Sequence, residues 1–279
     1  MKKFTGPVKL ALSMVLLIVV VASLTGCGKK SPEDLLEDAS KKIEAAGSLA
    51  FGNATVKTEV KTADNNASMT IGFSGQYIKS KTDNPADFQA KVDMYVEALG
   101  GKNSVTAFIK DGTIYSDEGS HKLKQSLGLS QEDIKRLVGL NDNLKLKNFV
   151  KKSKQDGDKV ILNLDGAKFI ETYMKDTEDK VPAQVSQALA LLKAVKIDDM
   201  IIEATIVKEQ LTAIKYNFAM ELNGALVGTP GNDVKIEVSF DIPKITTNSV
   251  KSIDFPNFDE YIEVPSIDLP GLAPGGAQA

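Results

Sequence analysis

The 279-residue sequence contains one cysteine, one histidine, one arginine and no tryptophan. A single thiol permits no disulfide within the chain, and so leaves the redox compartment open. With only Cys27 and His121 available, thiolate and imidazole metal clusters lack their ligands, and Cys-His and Ser-His-Asp catalysis lacks its side chains. Aromatic residues are scarce at 6%, which speaks against the stacking platforms of sugar sites. The formal net charge of -3 offers no basic field to a polyanion, so nucleic acid is not an expected partner. Neither glycine nor proline is in excess. A 42% hydrophobic and 25% charged composition is that of a folded protein. No cofactor, no metal site and no enzymatic activity are expected.

What the chain does have begins at its first residues. Lys2, Lys3 and Lys9 form a positive region, and Leu10 to Ala22 is an apolar run broken only by Ser13. That run is too short for a comfortable membrane span and reads as the core of a signal peptide. Leu24-Thr25-Gly26-Cys27 follows at once and resembles the bacterial lipobox. The resemblance implies a diacylglyceryl group on the Cys27 thiol and cleavage between Gly26 and Cys27. Residues 1–26 are then the leader, 27–30 a lipidated tether, and the remaining chain sits on the outer face of the cytoplasmic membrane. Acyl chains contribute about 0.8 kcal/mol per buried methylene, and two of them suffice for stable anchoring.

Beyond the tether, Ser31-Pro32-Glu33-Asp34 is a helix-start signal, with Leu35, Leu36, Ala39, Ile43 and Ala46 at helical spacing and Gly47 at the expected end. Alternation of period two then dominates, and it predicts strands with one apolar face. Met69, Ile71 and Phe73 share such a face, as do Val92, Met94 and Val96. In the last third the same pattern groups Met200, Ile202 and Ile206. It groups Ile214, Tyr216, Phe218 and Met220, and then Val234, Ile236 and Val238. Asp111-Gly112 and the run from Gln155 to Asp158 are turn signals between strands, and a further turn is expected near Glu209-Gln210. Ser130 with Asp133, Asp165, and the stretch after Pro182 mark helices between the two blocks of strands.

These elements predict an α+β fold: a strongly curved, mostly antiparallel sheet of about ten strands, a half-barrel, covered by short amphipathic helices. No Pro-, Gly- or Ser-rich linker divides residues 31–264, so they form one domain, and 265–279 is a Pro/Gly-rich tail. A lipobox, an opening amphipathic helix, long alternating strands, a central helical interval and a final meander resemble the LolA/LolB and LppX/LprG group of lipoprotein and lipid carriers. The "PEDLLEDASKKIEAAGSLAF" stretch is similar to that of Gram-positive envelope lipoproteins. This resemblance implies an apolar space beneath the sheet, lined by the sixteen face residues named above and able to hold a lipid or other amphiphile. The alternative is an envelope scaffold that binds a protein partner and has no ligand cavity.

Other signals are weaker. His121, Asp117-Glu118, Asp176 to Asp179 and Asp198-Asp199 read as solvated turns, without the alternating ligands of a calcium loop. Asn53-Ala54-Thr55 and Asn66-Ala67-Ser68 match the glycosylation pattern by chance. Lys151-Lys152-Ser153-Lys154 reads as a polar strand face that could also rest on anionic headgroups. The lipobox generates a direct expectation. Cys27→Ser moves the protein from the detergent phase to the aqueous phase in detergent-phase partitioning and abolishes incorporation of labelled palmitate.

Overall fold

Residues 30–62, 66–80, 88–98, 100–119, 121–126, 146–169, 171–172, 196–222 and 234–264 are described by the computed structural model. The leader, the lipobox, the Ser130–Asp133 capping signal, Asp176 to Asp179, the segment after Pro182 and the tail lie outside these residues. Helix α1 (Pro32–Ala45) starts as its sequence dictates. The Asp34 N–H donates to the Ser31 hydroxyl, and the Ser31 N–H donates back to the Asp34 carboxylate, both at 3.2 Å. Such a reciprocal cap is worth on the order of 1 kcal/mol. The end of the helix differs from expectation. Gly47 does not adopt a left-handed cap; Ala46 turns extended and its N–H reaches the Ile43 carbonyl at 3.1 Å.

Among the described residues fourteen strands follow, and they form one open, curled sheet. They are β1 (Ser48–Lys61), β2 (Asn66–Ile78), β3 (Gln89–Ala98), β4 (Gly101–Lys110), β5 (Thr113–Asp117), β6 (Lys122–Ser126) and β7 (Val150–Asp156). The second half supplies β8 (Lys159–Leu164), β9 (Lys196–Ile197), β10 (Met200–Val207), β11 (Gln210–Leu222), β12 (Val234–Ile242), β13 (Lys244–Thr247) and β14 (Ile262–Glu263). The order across the sheet is β14-β6-β5-β4-β3-β2-β1-β12-β11-β10-β8-β7, with β13 also on β1 and β9 also on β11. Every pairing is antiparallel except β14 with β6. The sheet is wider than the roughly ten strands expected, because short end strands (β9, β13, β14) carry too few residues for alternation to be seen. The helices expected after Ser130 and Pro182 fall outside the described residues. Among the described residues the helical cover consists of α1, a 3-10 turn at Leu146–Asn148, and helical residues 166–169 and 171–172. Asp165 caps the last of these, accepting the Lys168 N–H at 2.9 Å.

Two-residue turns set the register of the hairpins. Asp111 (φ 50°) and Gly112 (φ 70°) link β4 to β5, as the sequence predicts. Lys208 (φ 50°) and Glu209 (φ 61°) link β10 to β11 without a glycine at either left-handed position. In β1 a bulge at Gly52-Asn53, with Asn53 at φ 54°, bends the longest strand in the middle. Bulges also interrupt β11 at Thr212, opposite Thr205-Ile206 of β10, and β7 near Lys152. Each adds twist, and together they curl the sheet around its apolar side.

After β13 the chain crosses to the opposite face. The Val250 N–H donates to the Ser48 hydroxyl at 3.1 Å, and Ile253 is buried. Phe255, Phe258 and Tyr261 then pack on Phe108 and Tyr115, with the Tyr115 and Phe258 rings stacked at 3.6 Å. This strap ends in β14, which extends the sheet beyond β6. The left-handed backbone at Lys208 costs about 1 kcal/mol for a residue with a long side chain. Lys208→Asn therefore raises unfolding stability by about 0.5–1 kcal/mol, measured from the urea midpoint.

Candidate functional site

Register decides which side chains share a face, because side chains alternate with period two along each strand. Val96, Ile71, Val56, Phe240, Tyr216, Ile202 and Leu162 stand opposite one another in an unbroken row across β3, β2, β1, β12, β11, β10 and β8. On one side of this row lie Met94 with Phe73, and Ile214 with Ala204 and Val160. On the other side Met69, Thr58, Val238 and Phe218 form a second row, and Val60, Ile236 and Met220 a third. Val92 continues the face beside Gly75, Ile206 stands opposite Leu211, Met200 opposite Leu164, and Val234 opposite Leu222. All sixteen residues singled out by alternation thus occupy the same side of one sheet.

Burial along this face is graded. Leu162, Val160, Ile202, Ile214, Ile71, Phe73 and Met94 are buried in the core. Edge-to-face and stacked rings fill its middle: Phe51 on Phe73 at 5.7 Å, Phe73 on Phe240 at 5.9 Å, and Tyr216 on Phe240 at 5.7 Å. Burial pushes the Tyr216 phenol far above its ordinary range, and the Tyr77 phenol upward as well. Toward the other end of the strands, Phe218, Met220, Ile236 and Val238 are only half-buried and Met69 is 37% exposed, while Val234 beyond them is buried again.

The gradient follows the position of α1. The helix packs against β7, β8, β10 and β11, with Leu36 and Ala39 fully buried. It is pinned near the β10–β11 turn, where Glu209 receives Lys42 at 2.6 Å and Lys30 at 3.5 Å. Those lysines hold the Glu209 carboxyl below its usual range, the Lys42 hydrogen bond contributing most. Glu33 lies at the β7 side: burial raises its carboxyl, but hydrogen bonds from Ser153 and Ser31 outweigh that and lower it overall. Two buried polar groups sit on the same helix. Glu37 accepts a hydrogen bond from Lys41 at 3.2 Å, and the Ser40 hydroxyl has no partner.

The remaining polar signals do not converge. His121 is exposed, its carbonyl accepting the Glu118 N–H at 3.0 Å. Asp117 accepts the Gly119 N–H, and Asp199 pairs with Lys151 at 2.6 Å. Among the described residues, no three His, Cys, Asp or Glu side chains gather as a metal site, and no helix is long and apolar enough to cross a membrane. Lys151, Lys152 and Lys154 lie on β7, an edge of the sheet, where lysine discourages pairing with another strand. Alternation missed Glu37 and Ser40, although their positions beside Leu36 and Ala39 on a helical wheel place them near the apolar stripe. It also missed the strap, whose signal is three aromatics spaced by three in a segment without alternation.

Residues 31–258 match the model of DUF6612, described as a family of unknown function. The chain belongs to the DUF6612 family. The matched span begins at the Ser31 cap of α1 and ends at Phe258 of the strap, so the family unit contains the whole apolar face. No curated protein matches the sequence. Among solved structures, LprF from Mycobacterium bovis is 13% identical, with a TM-score of 0.33 over 83% of this chain and 99% of its own. A DUF1329 family protein from Desulfovibrio piger is 9% identical, with a TM-score of 0.21 over 82% of this chain and 96% of its own. The burial gradient of this DUF6612 face is measurable. Phe73→Ala costs about 3–5 kcal/mol, whereas Met69→Ala costs under about 1 kcal/mol, read from urea unfolding.

Proposed function

We propose that this protein is a non-enzymatic, membrane-anchored extracytoplasmic lipoprotein that binds a lipid or other amphiphile against the apolar face of its sheet. The single observation that carries the reading is the loss of burial along that face. A filled core has no reason to leave Phe218, Met220, Ile236 and Val238 half-buried on the same face as the closed row that runs from Met94 and Phe73 to Ile214 and Val160. An acyl chain is the ligand that such a strip suits, since it removes apolar surface from water at about 25 cal/mol per Å² and asks for no polar partner. Methionines at positions 69, 200 and 220 add side chains that adapt to variable apolar shapes. The lipobox-like Leu24-Thr25-Gly26-Cys27 supports the address, since it would tether residue 30, and with it α1, within about 10 Å of the lipidated cysteine.

The test is direct. Residues Ser31 to Ala279, expressed without the leader, are purified and extracted with organic solvent for mass spectrometry. One amphiphile class recurs at up to one molecule per chain across independent preparations. Repeated absence of any bound amphiphile, with mixed-micelle titrations also showing no uptake, overturns the reading.

A further inference from the structure

Charge is placed unevenly in this chain. Residues 146–169, which run through β7 and β8, carry six lysines against three aspartates, a net +3 in a chain whose total is -3. Residues 250–264, the strap and β14 at the opposite edge of the strand order, carry Lys251 against Asp254, Asp259, Glu260 and Glu263, a net -3. Register gives the positive edge a direction. Lys152 and Lys154 of β7 stand opposite Asn163 and Ile161, and Lys159 of β8 stands opposite Asp156. These positions alternate with Leu162 and Val160, so the three lysines share the outer face of the sheet, and all three are exposed. On the same face of β10, Ile201 and Val207 are each 38% exposed. The carboxylates of this wing have lysines beside them. Asp156 receives Lys154 at 3.3 Å, and Asp199 and Asp165 receive Lys151 at 2.6 and 3.8 Å. Glu203, between Ile201 and Val207, stands opposite Lys215 of β11. Lysine on an edge strand discourages strand pairing, but that role does not account for Lys159, one strand in, or for the exposed apolar side chains beyond it.

We infer that the outer face of β7 and β8, with Lys152, Lys154 and Lys159, is a docking surface for anionic phospholipid headgroups, and that it holds the acidic strap edge away from the bilayer. This rests on the anchored part of the reading above and not on the amphiphile. The anchor sits on the correct side. Glu33, in the first turn of α1, takes a hydrogen bond from Ser153, which lies between Lys152 and Lys154. Cys27 precedes Glu33 by six residues, a reach of at most about 20 Å. Anionic lipid attracts basic side chains that come within a Debye length of its surface, about 8–10 Å. Each such lysine favours the docked state by about fivefold, and Ile201 and Val207 add apolar surface at the interface. The strap, of opposite sign, is repelled from the same lipid. A neutral bilayer offers neither force, and the tether alone does not orient the sheet on it.

The full-length chain, purified in lipidated form from bacterial membranes, is reconstituted in vesicles of phosphatidylcholine alone or of phosphatidylcholine and phosphatidylglycerol in equal parts. Floated vesicles are treated briefly with an amine-acetylating reagent, and each lysine is read by peptide mass spectrometry. On the anionic vesicles, acetylation of Lys152, Lys154 and Lys159 slows by about fivefold or more and recovers at high salt, while Lys251 on the strap changes by less than about twofold. The double substitution Lys152→Glu with Lys154→Glu still floats through its acyl chains, and Lys159 loses its protection. Equal acetylation on the two kinds of vesicle, or protection of Lys159 that survives the double substitution, overturns the docking surface and leaves the anchor standing. A chain that does not float with the neutral vesicles overturns the anchor, and the docking surface with it.

Discussion

The constraint on which the rest of this structure depends is that a sheet with one apolar face cannot leave that face in water. Alternation along β1, β2, β3, β10, β11 and β12 places apolar side chains on one side in rows that run unbroken over seven strands. A flat sheet of this width would expose all of it. Bulges in β1, β7 and β11 bend the strands, so that the sheet curls and its two wings approach the same volume. α1 then needs to cover only part of the face, and its apolar stripe of Leu36, Ala39 and Ile43 does so against β8, β10 and β11.

The other devices hold this arrangement in place. Glu209 sits at a left-handed turn position that favours glycine, and it is the residue that both Lys30 and Lys42 reach. The exposed ion pairs are individually weak, yet they tie the start of the fold, the helix and one hairpin at the same end. On the outer face, the strap from Val250 to Tyr261 buries Phe108 and Tyr115, which alternation had turned away from the main core. The sheet therefore has two unequal cores: a broad one of mixed aliphatic and aromatic side chains inside the curl and a small aromatic one outside it.

This inequality bears on function. The outer cluster is closed by its own chain, ring against ring. The inner face is closed along the row from Met94 and Phe73 to Ile214 and Val160 and loosens toward Met69 and Met220, with Val234 buried beyond them. Overall likeness of shape to other solved structures carries none of this, because the overlaps are too loose.

Much of the frame was legible in the residues alone. The cap at Ser31, the Asp111-Gly112 turn and the membership of the apolar face are local properties, set by spacing and by the conformations that particular residues prefer. The tertiary structure decided what depends on distant partners: how many short strands complete the sheet, that Phe255, Phe258 and Tyr261 cross to cover Phe108, and that Ala46 rather than Gly47 ends the helix. It also decided which apolar positions are sealed and which remain half-open. Alternation assigns Met69 and Phe73 to the same face with equal force, but burial depends on what packs above each, and that is written nowhere within two residues of either.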